Sequence, residues 1–363
     1  MIREWDAIVV GAGIIGCAVG RELARRGART AILESRTAGA GATQASAGVL
    51  APYIEAPGDG PLHQLTVRSL GLYDAFIAEL ERETGTDVEY RRCGTLEVAP
   101  DAAAARRLDA LALWIQLAGV DAQWVEARLV AELEPSLGPC EGALLVPTHG
   151  YVRVPQLTAS LVAAAERNGA TLIAGQAVKT IVPDGAGLIV ETADARHRGA
   201  TVVIAAGSWS GSLGWEKVPV KPIRGQLVRL RWNAPPIAHV LWSDRCYIVP
   251  WLDGTVLVGA TVEDVGFDER TTAAGVRDLL DAACDLMPRA WGAAFIDARV
   301  GLRPATADGL PIIGRSRQTP ALVYASGHYR NGILLAPLTA QLVGDLVIDG
   351  RSDPMLESLA PGR

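Results

Sequence analysis

The sequence predicts an α/β protein in which a domain with a parallel sheet is interleaved with an α+β domain built on a mostly antiparallel sheet. Residues 7–33 read as a strand, a glycine-rich turn, a helix and a second strand, which is a βαβ unit with parallel strands. The run 201–206 is continuously apolar, as in a strand buried on both faces. Residues 220–231, 247–250 and 255–262 alternate in a way that is typical of antiparallel strands.

The individual elements follow from the positions of apolar residues and glycines. Strand Ala7–Val10 leads into helix Ile14–Arg26, which Gly27 ends, and strand Thr30–Leu33 follows. The next stretch, Thr37–Gly48, is too poor in large apolar residues to belong to the core, and a loop this long in a compact domain is usually functional. The pattern then predicts, in chain order, helix 62–83, strands 89–92 and 95–98, helices 101–118, 155–168 and 272–287, a closing segment 299–306, strand 321–325 and helix 331–348.

The composition bounds the class of protein. The chain of 363 residues is long enough for two domains, and its net charge of −6 argues against nucleic acid as a partner, because phosphate binding requires a basic face. The five cysteines and five histidines are scattered, which argues against a disulfide framework or a metal site and fits a cytoplasmic location. Glu4 and Asp6 stand where a signal peptide has basic residues, and no apolar stretch reaches membrane-spanning length.

The hexapeptide at residues 11–16 reads GAGIIG and fits the pattern G-x-G-x-x-G. Gly11 allows the tight turn, Gly13 lets the backbone approach a pyrophosphate, and Gly16 lets the helix pack on the strand. The helix N terminus offers free N–H groups to the phosphates. Glu34, at the end of the second strand, is placed to accept hydrogen bonds from ribose hydroxyls. Together these features predict a Rossmann-like dinucleotide-binding domain, although the hexapeptide alone is a weak signal.

The dinucleotide is predicted to be FAD rather than NAD(P). Glu34 would repel a 2′-phosphate, although Arg36 is near enough to weaken that point. The small-residue loop is the stronger indication, because the ribityl chain and ring of a flavin need the close backbone contact that residues 42–43 and 47–49 could provide. The alternative is a mobile surface loop.

Longer segments match a known family. The chain resembles the D-amino acid oxidase superfamily, and most closely the glycine oxidases associated with thiamine biosynthesis, in VVGAGIIG, LES (33–35), ASAGVLAP (45–52), AAGSWSG (205–211), CYIVP (246–250), VGAT (258–261), GLRPATADGLPIIG (301–314) and GHYRNGILLAP (327–337). The last two are the most specific, because they combine arginines with a fixed glycine–proline framework. Similar segments occur in sarcosine oxidases and D-amino acid dehydrogenases.

The α/β signals lie at both ends and in the middle of the chain with hairpin signals between them, which predicts two interleaved domains, and the resemblance implies a set of flavin contacts. Residues 1–85, 147–217 and 299–363 would form the FAD-binding domain, and residues 86–146 and 218–298 the substrate-binding domain. The implied cofactor-binding residues are Gly11, Ala12, Gly13, Ile14, Ile15, Gly16, Glu34, Ser35, Ala42, Thr43, Ala47, Gly48, Val49, Val178, Ala206, Gly207, His328, Tyr329, Arg330, Asn331, Gly332, Ile333 and Leu334.

The resemblance also implies the substrate site. Arg303 and Arg330 match the residues that hold a substrate carboxylate, and Tyr247 matches the tyrosine that assists them. Arginine suits this role because its fork makes two parallel charge-assisted bonds. Holding an amino acid in this way aims its Cα–H at flavin N5 for hydride transfer, so no strong general base is required. The alternative for both arginines is a surface charge or a structural ion pair.

The sequence departs from familiar glycine oxidases at several positions. Arg245 replaces a histidine, Trp251 replaces a basic residue, and Tyr53 and Ile54 are large residues on the expected active-site loop. These changes leave the substrate open among glycine, sarcosine and small D-amino acids. Molecular oxygen would be the electron acceptor and a homotetramer the assembly. The alternatives are a D-amino acid or N-methyl amino acid dehydrogenase that feeds a quinone, and a flavoprotein-like binding module without turnover.

Overall fold

The structure, a computed structural model, describes residues 2–213 and 218–363. Within these residues the strands are β1 (Ile2–Val10), β2 (Thr30–Leu33), β3 (Val49–Leu50), β4 (Tyr90–Arg91), β5 (Thr95–Ala99), β6 (Gln123–Glu126), β7 (Gly142–Val146), β8 (Gly150–Val152), β9 (Thr171–Ile173), β10 (Thr180–Asp184), β11 (Gly187–Glu191), β12 (Arg196–Ile204), β13 (Lys221–Arg231), β14 (Val240–Trp242), β15 (Tyr247–Pro250), β16 (Thr255–Gly259), β17 (Ala294–Ala305), β18 (Ile312–Arg315) and β19 (Leu322–Ser326). The α-helices are α1 (Ile14–Arg25), α2 (Pro52–Glu55), α3 (Pro61–Thr84), α4 (Ala102–Leu117), α5 (Ala127–Leu133), α6 (Val154–Arg167), α7 (Ala273–Leu286) and α8 (Gly332–Val347).

The first large sheet has a parallel centre. Its order is β10-β11-β12-β1-β2-β9, and β19 pairs with the second half of β12 and with β18. Strands β9, β2, β1, β12 and β19 run parallel to their neighbours in this series. Alternate residues of β1 belong to different clusters, since Ala7 and Val9 pack with α1, α6 and α8, whereas Ile8 and Val10 pack with Leu188 and other residues on the opposite face. Burial on both faces explains the continuous apolar runs in this sheet.

The second large sheet is mostly antiparallel. Its order is β17-β13-β16-β15-β14-β5-β7-β6, and only the pair β14 and β5 is parallel. Helix α7 covers one face, where Leu279 and Ala283 join a cluster with Val228, Ile248 and Val258 of the sheet. A small sheet with the order β3-β8-β4 adds to these two. The predicted α/β class, with a Rossmann-like parallel domain interleaved with an α+β domain on a mostly antiparallel sheet, is confirmed.

Several predicted boundaries differ from the structure. Strands β1 and β12 pair with each other from Ile2 opposite Arg196 to Val10 opposite Ile204. Both strands therefore begin earlier than the apolar runs from which they were predicted. Strand β16 ends at Gly259 rather than at residue 262. The short strands β6 to β11, β14 and β18 were not predicted, because three to five residues give too little periodicity.

The division into domains stays a prediction, but one predicted boundary cuts through a strand of the antiparallel sheet. Strand β17 pairs with β13 along its length, from Arg231 opposite Ala294 to Lys221 opposite Ala305. Residues 299–305 therefore lie in the antiparallel sheet, although the sequence assigned them to the FAD-binding domain. The predicted boundary at residue 217 falls within 214–217, outside the described residues.

Helix α8 contains a proline that the rest of the fold compensates. Pro337 has no N–H group, so the carbonyl of Ile333, four residues earlier, lacks its helical donor. The Tyr73 hydroxyl of α3 donates to that carbonyl oxygen at 2.6 Å, and the Ser69 hydroxyl donates to the next carbonyl, of Leu334, also at 2.6 Å. All of these groups are buried. Two hydroxyls of α3 thus fix the first turn of α8.

Replacing Tyr73 by phenylalanine tests this bond. We expect Tyr73→Phe to lower the free energy of unfolding by about 1–3 kcal/mol, because the Ile333 carbonyl becomes a buried acceptor without a donor. Tyr90→Phe is the matched control, since the Tyr90 hydroxyl bonds to the carboxylate of Asp74, which is 71 % exposed; we expect it to cost about 0.5 kcal/mol or less. Urea unfolding measures both, and equal losses in the two variants would contradict the proposed role.

Candidate functional site

The turn between β1 and α1 requires glycine at two positions. Gly11 has a φ of +103°, and a Cβ atom there would lie 2.6 Å from the carbonyl oxygen of Ala205. A Cβ atom on Gly16 would lie 1.8 Å from the Gly11 carbonyl oxygen, so only glycine lets the helix lie so close to the strand. At Gly13 a Cβ atom would lie 3.4 Å from the Thr43 hydroxyl, which is an ordinary contact distance. Packing within the protein therefore does not require glycine here, and without a side chain Gly13 leaves its backbone open to a ligand.

The small-residue loop contacts this turn. Residues Ala42–Ala45 form a 3₁₀-helix, and the Thr43 hydroxyl accepts a hydrogen bond from the Ile14 amide at 3.0 Å. The Glu34 carboxylate accepts hydrogen bonds from the Ala12 and Arg36 amides, each at 2.8 Å, and from the Ser35 hydroxyl at 3.1 Å. A carboxylate has about four acceptor positions, so these three bonds leave room for a ribose hydroxyl.

These groups line a large cavity of about 500 Å³. Most of the predicted cofactor-binding residues line it, namely Gly11, Gly13, Ile14, Ile15, Glu34, Ser35, Ala42, Thr43, Val178, Ala206, Gly207, His328, Tyr329, Arg330, Gly332 and Ile333. Glycine and alanine in this wall give a backbone-lined cradle, and the N terminus of α8 reaches it at Gly332. The cradle fits an extended dinucleotide such as FAD.

Seven predicted cofactor residues lie elsewhere. Ala12, Gly16 and Leu334 are behind the wall, because Ala12 and Leu334 belong to the core beneath α1 and α8 and Gly16 faces the Gly11 carbonyl. The remaining four line a second cavity of about 360 Å³, and they are Ala47, Gly48, Val49 and Asn331.

The second cavity, here called the arginine cavity, adjoins the first. Both are lined by Ala42, Ser46, Tyr329, Arg330 and Ile333. The arginine cavity also contains Arg303 and Tyr247, so the structure brings together the three predicted substrate-binding residues, although they are far apart in the sequence.

Glycines on neighbouring strands make room for two of these side chains. The Arg303 guanidinium of β17 lies over Gly225 of β13, where a Cβ atom would be 2.2 Å from it. The Tyr247 ring of β15 lies over Gly259 of β16, where a Cβ atom would be 2.5 Å away. Arg303 donates to the carbonyl oxygen of Thr261 at 2.9 Å and, in the part of the chain that the structure describes, has no carboxylate within ion-pair distance. Its charge is available to a ligand.

Arg330 is held differently, by a residue that the sequence analysis did not identify. Its guanidinium donates to the Glu55 carboxylate at 3.0 Å and lies over the Trp242 ring, with 5.8 Å to the centroid. Burial raises the pKa of the Glu55 carboxyl, and the charges of Arg330 and Arg303 oppose that rise. Glu55 lines the arginine cavity, so this cavity does contain a carboxylate. Its position directly after Tyr53 and Ile54 was the available signal.

Of the four residues that differ from familiar glycine oxidases, two line the arginine cavity and two are buried outside it. Arg245 and Ile54 line the arginine cavity, and Arg245 forms an ion pair with Asp285 of α7. Tyr53 is buried against His149 at 5.6 Å between ring centroids, and Trp251 is buried beneath Arg153. Neither ring lines the arginine cavity, so of these four residues only Arg245 and Ile54 line the wall.

His328 is a buried neutral histidine. Its Nε2 atom lies 3.0 Å from the Thr339 hydroxyl of α8, and burial lowers the pKa of the ring to about 3. The next residue, Tyr329, has a φ of +47°, and its amide donates to the Pro304 carbonyl oxygen at 2.9 Å. The loop before α8 is thereby fixed to the end of β17, which carries Arg303.

Together, the glycine turn, the acid at the end of β2 and the backbone-lined cavity define a dinucleotide-binding protein. The chain belongs to the FAD-dependent oxidoreductase family, since the model described as "FAD dependent oxidoreductase" matches residues 6–346. It is 37% identical to a glycine oxidase of Geobacillus kaustophilus over 96% of this chain and 94% of that protein. It is likewise 37% identical to a bifunctional ThiO/ThiG protein of Nostoc, over 97% of this chain and 54% of that protein.

Solved structures agree. The crystal structure of glycine oxidase from Geobacillus kaustophilus superposes with a TM-score of 0.96, at 36% identity and with 99% of each chain covered. An iminodiacetate oxidase from Chelativorans sp. superposes with a TM-score of 0.90, at 29% identity and with 98% of each chain covered. The protein is an FAD-dependent amino acid oxidase, and FAD is its cofactor. In the described residues no helix is long and apolar enough to cross a membrane.

The contact between Gly16 and Gly11 can be tested by adding one methyl group. We expect Gly16→Ala to lower the free energy of unfolding by about 1–3 kcal/mol and to weaken FAD binding about tenfold or more, because the helix must move away from the phosphate turn. Gly71→Ala, inside α3 and with open space around its Cβ position, should be neutral or stabilise by up to about 1 kcal/mol. The ratio of flavin to protein absorbance and the FAD Kd report the result. Full FAD occupancy in Gly16→Ala would refute this account of the turn.

Proposed function

We propose that the protein catalyses oxidative deamination of glycine, sarcosine and small D-amino acids with molecular oxygen as the electron acceptor. The observation that carries the proposal is the Arg303 guanidinium, which lines the arginine cavity without a carboxylate partner among the described residues. A substrate carboxylate would neutralise the charge of this guanidinium. The arginine cavity adjoins the large cavity, so a bound amino acid would lie beside the cofactor.

In this proposal the residues of the arginine cavity bind and orient the substrate. Arg303 forms a bidentate bond with the carboxylate, and Tyr247 and Arg330 line the same cavity and add donors. Burial raises the pKa of the Tyr247 hydroxyl, and the charges of Arg303 and Arg330 oppose that rise without cancelling it. The hydroxyl therefore stays protonated at neutral pH and can donate. Positioning of this kind converts a bimolecular encounter into an oriented complex.

When held by the residues that line the large cavity, FAD would supply the redox chemistry, as the acceptor of the hydride that the substrate Cα–H bond loses with its two electrons. The substrate becomes an imino acid, which water hydrolyses to an oxo acid and an amine. The products are glyoxylate and ammonia for glycine, and glyoxylate and methylamine for sarcosine. Molecular oxygen takes the two electrons and two protons and leaves as hydrogen peroxide. The alternative is a D-amino acid or N-methyl amino acid dehydrogenase with another acceptor, for which no peroxide would form.

Similarity to known proteins supports the choice of substrate class. The relatives at 37% identity include a glycine oxidase and the bifunctional ThiO/ThiG protein, which favours glycine and a role in thiamine biosynthesis. Likeness to an iminodiacetate oxidase favours a second candidate, an N-carboxymethyl amine. The cytoplasmic location and the homotetramer stay predictions.

The first test follows the flavin spectrum. We expect the yellow holoenzyme to bleach anaerobically with glycine or sarcosine and to form one hydrogen peroxide per substrate in air. A panel of glycine, sarcosine, D-alanine, D-proline and iminodiacetate would rank the substrates by kcat/KM. Bleaching without peroxide formation would favour the dehydrogenase, and no bleaching with any amine would refute the proposed reaction.

The second test removes the free guanidinium. We expect Arg303→Ala to retain FAD, because Arg303 does not line the large cavity, and to lower kcat/KM by about two to four factors of ten, or roughly 3–5 kcal/mol. Arg277→Ala, on the exposed face of α7, removes the same charge away from both cavities and should leave kcat/KM unchanged. Steady-state kinetics with glycine measures both variants. Near-normal kcat/KM in Arg303→Ala would exclude the carboxylate role.

A further inference from the structure

The segment 260–272, which connects β16 of the antiparallel sheet to α7, reaches the edge of the large cavity. The buried Arg224 of β13 anchors this segment, since it donates to Glu263 and forms an ion pair with Asp268 at 2.9 Å. The amide and carbonyl of Glu263 also exchange hydrogen bonds with Arg224. The base of the segment is therefore fixed to the second sheet.

The tip of the segment contacts the first sheet through an ion pair. Both Glu269 carboxylate oxygens lie 3.2 Å from Nη1 of Arg36. Arg36 follows β2 and lies two residues after Glu34, whose carboxylate is the expected ribose acceptor. Arg36 and Glu269 both line the large cavity. In the described residues, Glu269 is the only residue of the segment 260–272 that does so.

A third element meets the pair from the other side. The Arg36 guanidinium lies over the indole ring of Trp209, with 5.4 Å to the centroid. Trp209 belongs to the 3₁₀-helix Gly207–Ser212 and also lines the large cavity. The Phe267 ring packs against the same indole at 5.6 Å between centroids. Three parts of the chain, at residues 36, 209 and 267–269, thus converge at one edge of the cavity.

We propose that Arg36, Trp209 and Glu269 form a clasp that closes over bound FAD and slows its release. FAD cannot leave along this edge until the segment 260–272 moves away from Arg36. The clasp is weak enough to open, because Arg36 and Glu269 are 40 % and 33 % exposed and exposed ion pairs contribute little. Val262, Val265 and Phe267 are also largely exposed, so few apolar contacts hold the tip in place.

The alternative to the clasp is that Arg36 binds FAD directly, and the two roles predict different effects of removing the charges of Arg36 and Glu269. In a clasp, Glu269 acts by binding Arg36, so removing either charge has the same effect and removing both adds nothing. If Arg36 instead bound FAD directly, loss of Glu269 would free the guanidinium and strengthen FAD binding. The two roles therefore predict opposite results for a Glu269 variant.

The experiment measures FAD release from the holoenzyme by the rise in flavin fluorescence after dilution. We expect Glu269→Gln, Arg36→Met and the double variant to release FAD about two to five times faster than the parent at 50 mM NaCl, as for an exposed ion pair. In 1 M NaCl the rates should converge, because salt screens the pair. Trp209→Leu, which removes the indole beneath Arg36, should also release FAD faster.

Arg270→Met is the matched control. Arg270 lies next to Glu269, is 85 % exposed and pairs with Asp268, and it does not line the large cavity. We expect its release rate to equal that of the parent. Thermal unfolding of each holoenzyme shows whether a variant is folded. Glu269→Asp keeps the negative charge, so it should release FAD more slowly than Glu269→Gln. Unchanged or slower release in Glu269→Gln, or additive effects in the double variant, would overturn the clasp.

Discussion

The carbonyl oxygen of Gly11 lies 1.8 Å from the position that a Cβ atom on residue 16 would take. This close backbone contact lets α1 lie directly over the end of β1. Helix α1 then packs against α6 and α8, and its buried residues form the centre of the largest core cluster. The same contact sets where the N terminus of α1 faces the large cavity. The cofactor site and the core beneath it therefore depend on one residue having no side chain.

Helix α8 connects the large cavity to the arginine cavity. Its first turn forms part of the wall of both cavities through Ile333, and Pro337 removes one of the hydrogen bonds that would hold that turn. Tyr73 and Ser69 of α3 replace the missing donor and add another. A helix that neighbouring side chains hold in this way keeps its N terminus in place although one bond of its own hydrogen-bond ladder is missing. The loop before it places Arg330 in the arginine cavity.

The sequence predicted the parts of the structure that depend on local pattern. The βαβ unit, the buried strand β12 and the last helix have clear apolar periodicity, and the glycine motif has a fixed geometric meaning. The arginine cavity depends instead on strand register, because Gly225 and Gly259 create space for Arg303 and Tyr247 only once β13, β15, β16 and β17 are paired. Sequence resemblance identified the arginines and the tyrosine. Glu55 was missed because its role arises from contact with Arg330, 275 residues away.

The assignment of residues 299–305 shows the same limit. The segment lies between an antiparallel region and the C-terminal α/β signals, and its residues match the family motif that includes Arg303. Only the pairing with β13 shows that it is the last part of a twelve-residue edge strand of the second sheet. Arg303, the arginine proposed to bind the substrate, therefore lies in the antiparallel sheet, whereas the loop bearing Arg330 follows β19 of the first sheet.

The charges of the arginine cavity bear on the form of substrate that it accepts. Glu55 is close enough to both Arg330 and Arg303 for their charges to oppose the rise in its pKa. Glu55 pairs with Arg330, whereas Arg303 has no carboxylate within ion-pair distance in the part of the chain that the structure describes. The charge that a substrate carboxylate would neutralise is therefore that of Arg303. Hydride loss from Cα requires the amine lone pair, so the proposed chemistry adds the requirement that the bound substrate has a neutral amine.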